Sequence, residues 1–428
     1  INVYLDGEGD TMKIDFLELT NFRNIQTQKI SFKDKNFVAL IGDNGSGKTA
    51  ILESITKGFV PILRTVNSAA MKECDLANTD IRSGTNSSII TLGITLDGEQ
   101  YVWTNKKRLS AQQPYDNSVE QKDTDVKGEK ELKIKYPHCA KEGKLPLVLY
   151  YGTDRIIREV PQRGHIKDFK ISDALWYCFD NVNYFRDFYD WFKTEEDIEL
   201  RGLRTNPQYK NPKLSCVRDA IGRMIKGYSN LRIELAPSRM VMTNEEGTDL
   251  RIDQLSGGYK AVLSVTADIA KRLSIANPDS PDPLNEEAVI LIDELDLHLH
   301  PKWQKEIVDD LKSTFPNCQF IISTHSPFII QSLDAEELFD IKTMAFAEET
   351  GNYKGWSIEA IQEHKMGVEP KTVVFNEYLR KFTEAMDNEE YDKVKGLYEK
   401  LKEMVDPNSS ESKVLKLDME MVEADDKA

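Results

Sequence analysis

The stretch Phe37-Val-Ala-Leu-Ile-Gly-Asp-Asn-Gly-Ser-Gly-Lys48-Thr49 decides the fold that this sequence predicts. An apolar run, a glycine-rich turn and apolar residues at helical spacing predict a buried strand, a loop and a helix that runs to about Leu63. The glycines permit backbone angles that let consecutive N–H groups converge on one anion. The pattern therefore predicts a P-loop at residues 42–49, in which Lys48 reaches the β- and γ-phosphates and Thr49 gives its hydroxyl to Mg²⁺.

A second segment, Val289-Ile-Leu-Ile-Asp293-Glu294, predicts the catalytic edge of the same site. Four apolar residues that end in two carboxylates are typical of a Walker B strand, here at residues 289–294. Asp293 is expected to hold the Mg²⁺ shell, and Glu294 is expected to orient and deprotonate the attacking water.

Two further segments have the chemistry of phosphate contacts. In Leu255-Ser256-Gly257-Gly258, the serine stands at an N-cap position and the glycines leave the following amides open, which predicts an anion-binding helix start. The run from Phe320 to Pro327 predicts a strand that ends at His325, where the imidazole could donate to a γ-phosphate. Taken alone, the first segment would favour an ordinary capped helix, and the second would favour a structural histidine.

In the order P-loop, Leu-Ser-Gly-Gly, Walker B, Asp296 and His325, these segments resemble the ATP-binding-cassette ATPases, in particular their SMC, RecF and OLD-like branch. The resemblance covers residues 12 to about 60 and 250 to about 345. It implies an α/β ATPase head with an antiparallel β subdomain, a helical signature lobe and a C-terminal helical extension, without a long coiled coil. It also implies a homodimer or higher homo-oligomer that encloses ATP between copies, with Ser256 and Gly258 touching the partner's γ-phosphate.

The resemblance assigns roles to individual residues of this chain. Nucleotide contacts are expected from Asn44, Gly45, Ser46, Gly47, Lys48, Thr49, Ser256, Gly257 and Gly258. Lys48, Glu294 and His325 are expected to act in hydrolysis, and Thr49 and Asp293 are expected to bind Mg²⁺. Arg23, in the opening pattern Leu-x-Asn-Phe-Arg, is a secondary candidate for ATP contact, with a solvated loop arginine as the alternative. The Q-loop residue of the family has no evident counterpart.

The composition of the chain limits its possible nucleic-acid partners and indicates the cellular compartment in which it acts. The net charge of −16 repels DNA globally, so a nucleic-acid partner would need a local basic patch, for which Lys106, Lys107 and Arg108 are the best candidates. The five cysteines are dispersed without a C-x-x-C pair, which suits a reducing cytoplasm. No apolar run approaches the roughly 20 residues that span a bilayer. The sequence therefore predicts a cytoplasmic protein without membrane contact.

The chain divides by pattern into three parts. Residues 1–11 are expected to be an N-terminal extension, 12–345 the ATPase head and 346–428 a mainly helical interaction region. Within the head, we expect a β insertion at about 64–155, with a hairpin, and a helical lobe at about 165–270. Aromatic residues at helical spacing in this lobe predict a buried core in preference to a base-stacking platform.

Three functions compete on these grounds. The missing heptad arms, the Leu-His-Leu-His-Pro loop at 297–301 and the acidic helical tail resemble the PtuA-like ATPases of Septu and retron-linked anti-phage systems. That resemblance implies an HNH nuclease subunit, PtuB-like, as partner. Because this sequence shows no nuclease motif, any cutting of DNA would belong to that partner. The alternative is a RecF-like repair ATPase that binds DNA directly. A transporter motor, the third function, is disfavoured by the β insertion at about 64–155.

The histidines of the 297–301 loop are not expected to bind a metal ion. His298 and His300 form a pair without a third ligand nearby.

Overall fold

The computed structural model describes residues 12–72, 74–109, 127–155, 168–179, 184–235, 238–348 and 351–425. The chain forms two compact units, Ile1–Trp356 and Ser357–Ala428. The extension predicted for residues 1–11 lies outside the described residues. No helix in the described part of the chain is both long enough and apolar enough to cross a bilayer.

The strands of the first unit are β1 (Met12–Phe22), β2 (Ile25–Ser31), β3 (Phe37–Ile41), β4 (Ser87–Leu96), β5 (Glu99–Arg108), β6 (Leu147–Tyr151), β7 (Tyr228–Leu235), β8 (Ser238–Asn244), β9 (Asp249–Arg251), β10 (Ala288–Ile292), β11 (Gln319–Ser323), β12 (Leu338–Asp340) and β13 (Ala345–Phe346). Its helices are α1 (Lys48–Leu63), α2 (Glu129–Lys141), α3 (Tyr184–Leu203), α4 (Pro212–Met224), α5 (Gly257–Ala276), α6 (Pro301–Thr314) and α7 (Pro327–Gln331). The second unit contains α8 (Ile358–His364), α9 (Val373–Asp387), α10 (Tyr391–Met404) and α11 (Ser410–Asp425).

The central sheet has the strand order β13-β12-β3-β11-β10-β6. The neighbouring pairs from β12 to β6 are parallel, and only the edge strand β13 runs antiparallel among the described strands of this sheet. Every residue of β3, β6, β10 and β11 is buried, which explains why these segments read as continuous apolar runs. Because the strands are parallel, the P-loop, the Walker B acids and His325 all follow the carboxyl edge of one sheet, where such folds bind ligands.

The predicted antiparallel β subdomain is a second sheet with the order β2-β1-β4-β5. Its β4–β5 hairpin turns at Asp97 and Gly98, whose φ angles of 54° and 73° are those of a two-residue primed turn. The sheet is fastened to α1, since the Trp103 indole donates to the Gly58 carbonyl at 2.8 Å. The predicted α/β fold with its antiparallel subdomain is thereby confirmed.

The lobe predicted as helical at about 165–270 contains a sheet as well as helices. Helices α3 and α4 are followed by the antiparallel meander β7-β8-β9, which leads into α5. The sequence did not predict the meander, in which the buried run of β8 contains Met240 and Met242 on either side of Val241, and methionine has no strong preference for strands. The expectation of an aromatic core is confirmed, since Phe188, Tyr189 and Phe192 on α3 are fully buried.

The division between the units falls later than the sequence predicts. We expected the head to end at residue 345, whereas the first unit extends to Trp356. Backbone bonds explain the difference: the Ala335 amide donates to the Gly351 carbonyl at 2.9 Å, and the Tyr353 amide donates to the Leu333 carbonyl at 3.1 Å. The second unit has its own apolar core, formed by Phe375, Phe382, Ala385, Val394, Leu397, Leu401, Leu415, Met419 and Val422.

Candidate nucleotide-binding site

The P-loop between β3 and α1 has a backbone that requires glycine. Gly42, Gly45 and Gly47 have φ angles of 148°, 78° and 114°, all in the region that other residues rarely adopt. A Cβ on Gly42 would also lie 2.9 Å from the Ser46 hydroxyl. Gly47 is the N-cap of α1, so the loop leads directly into the positive end of a helix dipole. The loop therefore has the shape and the field of a phosphate cradle.

Lys48 lies inside this cradle. Its ammonium donates to the carbonyls of Gly42 at 2.7 Å and Asp43 at 2.9 Å, and the residue is only 6% exposed. Burial lowers the pKa of the Lys48 ammonium, while the nearby carboxylates of Asp293 and Glu294 oppose that shift. The side chain thus stands between the phosphate-binding amides and the two Walker B acids.

The structure brings the two predicted Mg²⁺ ligands together. The Thr49 hydroxyl donates to Asp293 Oδ2 at 2.7 Å, and the other carboxylate oxygen accepts from the Ser323 hydroxyl at 2.5 Å. Hydroxyl and carboxylate oxygens are the donors that Mg²⁺ prefers, and Mg²⁺ usually takes few protein ligands beside phosphates and water. Among the described residues there is no cluster of three or more His, Cys, Asp or Glu placed to hold a metal ion. The residues present fit a Mg²⁺ ion shared with a nucleotide.

Two side chains at the loop bear on phosphate binding. Sequence reasoning predicted Ser46 and missed Asn24. The Ser46 hydroxyl is buried and has no hydrogen-bond partner within the described part of the protein, which is unusual for a buried polar atom. A phosphate oxygen would satisfy it. Asn24 was not predicted: its amide donates to the carbonyls of Gly45 at 3.2 Å and Ser46 at 3.4 Å. The available signal was its place directly after the Asn-Phe-Arg pattern.

Glu294 follows β10 in an unusual conformation. Its φ angle is 47°, which places a non-glycine residue in the left-handed region. Its amide donates to the Ser323 hydroxyl at 2.7 Å, so one serine contacts both Walker B residues. Such backbone conformations persist only where neighbouring contacts enforce them, and they are frequent at active sites. Ser323 is a second residue of the site that the sequence pattern did not single out.

The loop after the Walker B strand, residues 295–300 and here called the D-loop, is joined to the His325 segment beside this acid pair. One Asp296 carboxylate oxygen accepts from the Thr324 hydroxyl at 2.6 Å and from the His325 amide at 3.2 Å. His325 is half-buried at the end of β11, between the P-loop strand and the Walker B strand. This position agrees with a role near the γ-phosphate, and the role itself stays a prediction.

The Leu-Ser-Gly-Gly segment forms the start of α5, a helix of 20 residues. Ser256 is its N-cap and accepts from the Tyr259 amide at 3.5 Å. A Cβ on Gly257 would meet nothing within 4 Å, whereas a Cβ on Gly258 would lie 2.8 Å from the His298 carbonyl oxygen. Gly258 is therefore required by packing against the D-loop of the same chain, and Gly257 is the glycine with open space before it.

This asymmetry predicts different effects on stability for the same glycine-to-alanine substitution at the two positions. Gly258→Ala is expected to lower the free energy of unfolding by about 1–3 kcal/mol, because the backbone carbonyl of His298 must shift to admit the methyl group. Gly257→Ala, the matched control, is expected to leave it unchanged. Urea unfolding of both variants measures the difference, and equal losses of stability would contradict the assignment.

The structure also places the two secondary candidates, Arg23 and the basic run on β5. Arg23 is ion-paired with Glu53 and, at 3.0 Å, with Asp80, so its guanidinium is engaged within the chain and its contact with ATP stays a prediction. Lys106, Lys107 and Arg108 lie on β5. Because side chains alternate along a strand, Lys107 points to the opposite face from the other two. The basic run is therefore not one continuous patch.

Comparisons with known proteins show what the chain is similar to. The family model described as "AAA domain, putative AbiEii toxin, Type IV TA system" matches residues 37–331. The chain is 26% identical to "Retron Ec83 probable ATPase" of Escherichia coli, covering 90% of this chain and 82% of that protein. It is also 26% identical to "Septu protein PtuA" of Bacillus thuringiensis, covering 94% of this chain and 96% of that protein. The predicted likeness to Septu and retron ATPases is confirmed.

Among solved structures, the "SMC head domain from Thermotoga maritima" aligns with a TM-score of 0.43 at 16% identity, covering 77% of this chain and 94% of that one. The family match at residues 37–331 spans more than half of the chain. The chain therefore belongs to the AAA-domain family described as "AAA domain, putative AbiEii toxin, Type IV TA system", and it is a P-loop ATPase.

Proposed function

We propose that the chain binds ATP with Mg²⁺, hydrolyses it, and uses the nucleotide to open and close an assembly of its own copies. The observation that carries this proposal is the contact between Thr49 and Asp293 at 2.7 Å, beside Lys48 and Glu294. Two segments distant in sequence supply the hydroxyl and the carboxylate at the mouth of one phosphate cradle. A site that binds phosphate alone does not require a hydroxyl and a carboxylate at this place. A nucleoside triphosphate bound with Mg²⁺ requires both groups.

In hydrolysis, the oxygen of a water molecule bonds to the γ-phosphorus while the Glu294 carboxylate takes a proton from that water. The bond between the γ-phosphorus and the β–γ bridging oxygen breaks, and ADP retains the electron pair. Lys48 and the loop amides stabilise the charge that develops on the phosphate oxygens. Mg²⁺, when bound, neutralises part of the same charge, and Thr49 and Asp293 are the residues that would hold it.

The exposed start of α5 supports the second half of the proposal. Ser256 and Gly257 are both exposed, and the space before Gly257 is open. In a homodimer or higher homo-oligomer, this end would contact the γ-phosphate bound to the P-loop of another copy. ATP would then favour the closed assembly over the open one, because ADP lacks the phosphate that makes these contacts. Hydrolysis would reopen it.

The named relatives support a proposal for the biological role. "Retron Ec83 probable ATPase" and "Septu protein PtuA" support a role in anti-phage defence. We propose that this chain is the nucleotide-dependent switch of such a system in the cytoplasm, and that a separate HNH nuclease subunit, PtuB-like, cuts nucleic acid under its control. The split basic run on β5 gives no specific support to the alternative of a repair ATPase that binds DNA by itself.

Phage challenge of cells that carry the chain with its neighbouring genes tests this role. The wild type is expected to lower plaque numbers and to capture a nuclease when purified by a tag, and Lys48→Ala is expected to lose protection. Lys29→Ala, which alters an exposed lysine that is ion-paired with Glu18, serves as the control. Unchanged phage sensitivity with the Lys48 variant, together with no captured nuclease, would reject the defence role and leave the ATPase assignment standing.

A further inference from the structure

Arg155 makes contacts at the site that no part of the reaction described above uses. It follows β6 and is 3% exposed. Its Nη1 donates to the Asp293 carbonyl at 2.5 Å and to the Gly152 carbonyl at 2.9 Å, and its Nη2 donates to the Glu294 carbonyl at 2.5 Å. One guanidinium therefore contacts the main chain of both Walker B residues.

The position of these carbonyls gives the contacts a specific consequence. The Asp293 carbonyl belongs to the peptide that precedes the Glu294 Cα, and the Glu294 carbonyl belongs to the peptide that follows it. Holding both peptides fixes the φ and ψ angles of Glu294, and those angles set the direction in which its carboxylate leaves the main chain. The left-handed φ of 47° is unfavourable for glutamate, so it needs such enforcement.

Backbone hydrogen bonds to the neighbouring strands supply part of this enforcement, since the Asp293 amide donates to the Tyr151 carbonyl at 2.8 Å and the Leu295 amide donates to the Ser323 carbonyl at 2.9 Å. Strand β10 ends at Ile292, so the Walker B acids lie just beyond it. The Ser323 hydroxyl holds the Glu294 amide at 2.7 Å, and the Glu294 carbonyl accepts from the Leu297 amide at 2.9 Å as well as from Arg155. Arg155 adds a single group that bridges the carbonyls of both acids. A planar guanidinium offers donors on two separate nitrogens, and it can contact two carbonyls at once in a fixed geometry. A lysine ammonium is a flexible point charge and lacks this fork.

Arg155 is itself held from two directions. Its side chain contacts the Gly152 carbonyl near the end of β6. Its own carbonyl accepts from the Ser264 hydroxyl at 3.1 Å, and Ser264 lies on α5, the helix that begins at the signature segment. The guanidinium is thus placed by the central sheet and by the signature helix together.

We propose that Arg155 is a positioning residue for ATP hydrolysis, which holds the main chain of Asp293 and Glu294 so that the Glu294 carboxylate faces the attacking water. The inference rests on the proposed role of Glu294. A base acts only within hydrogen-bond reach of the proton it removes, and a displacement of about 1 Å lowers a rate by about 10²-fold. Arg155 is proposed to act through the main chain of the acid.

Steady-state and binding measurements on Arg155→Lys test the proposal. The turnover number is expected to fall by about 10- to 100-fold, while the dissociation constant of a fluorescent ATP analogue stays near the wild-type value. Arg218→Lys is the matched control, because Arg218 also donates to a main-chain carbonyl and a carboxylate, those of Leu231 and Glu199, in the lobe. The control is expected to retain wild-type turnover.

Two further measurements separate positioning from a general loss of structure. Added guanidinium salt is expected to restore part of the turnover of Arg155→Ala, since the ion can occupy the site of the missing group. In a Glu294→Gln background, Arg155→Lys is expected to cause no additional loss, because both changes act on one catalytic group. Additive losses, or wild-type turnover in Arg155→Lys, would overturn the inference. If Glu294→Gln alone retains wild-type turnover, the proposed role of Glu294 fails first and this inference with it.

Discussion

Replacing Glu294 with glutamine is expected to lower the ATP turnover number by about 10³-fold, which lies within the range for losing a general base. The amide has the size of the carboxylate but cannot accept a proton from water. The contacts that position this residue reach its main chain and remain in the variant, as does the Thr49–Asp293 contact. Nucleotide affinity is therefore expected to stay at the wild-type level, and single-turnover assays with a fluorescent analogue measure both quantities.

The same variant is expected to accumulate the closed, ATP-loaded assembly, because closure no longer ends in cleavage. Light scattering after ATP addition should show a larger mass for Glu294→Gln than for the wild type. Glu306→Gln is a suitable control, since that glutamate pairs with the exposed Lys226 outside the site. Turnover at the wild-type rate in Glu294→Gln would remove the acid from the mechanism.

Replacing Lys48 with alanine is expected to weaken ATP binding by about 10²-fold, since a hydrogen bond to a charged group contributes about 1.5–3 kcal/mol. The ammonium is buried within the loop and no other cation replaces its contacts with the Gly42 and Asp43 carbonyls among the described residues. Turnover is expected to be lost with the binding. Lys29→Ala, on the exposed face of β2, should bind ATP as the wild type does.

Ser256→Arg should lose turnover for a different reason. Ser256 is exposed at the start of α5, so the long side chain can be accommodated without disturbing the core. Its own P-loop is unchanged, and ATP affinity should remain near that of the wild type. In a shared site, however, the new side chain would block the approach of this helix to the γ-phosphate held by another copy.

The parts of the site that could be predicted from the sequence are those encoded by contiguous residues. The P-loop, its strand and its helix follow from local glycine, lysine and apolar spacing, and the structure has them at Phe37–Ile41 and Lys48–Leu63. The cap at Ser256 and the hairpin at Asp97 and Gly98 are local signals in the same sense. Each depends on backbone angles that a few neighbouring residues decide.

The parts that could not be predicted depend on main-chain atoms brought together by the fold. The sequence can place Arg155 near the site, but its contacts and those of Ser323 are made with backbone atoms of the Walker B acids, and such atoms leave no pattern in the sequence. The packing of Gly258 against the His298 carbonyl is hidden for the same reason. Asn24 holds the P-loop from the end of β1, a contact that only the assembled sheets create. Long-range contacts to backbone atoms therefore define much of this site.

The central claim is that each ATP is enclosed by the P-loop of one copy and the signature helix of another. Mixing the inactive Lys48→Ala and Ser256→Arg proteins in equal amounts tests it most directly. Half of randomly formed pairs contain one copy of each, and every such pair has one intact site and one doubly altered site. The account predicts that the mixture regains about a quarter of the wild-type turnover. A mixture that stays as inactive as its two components would contradict the shared site.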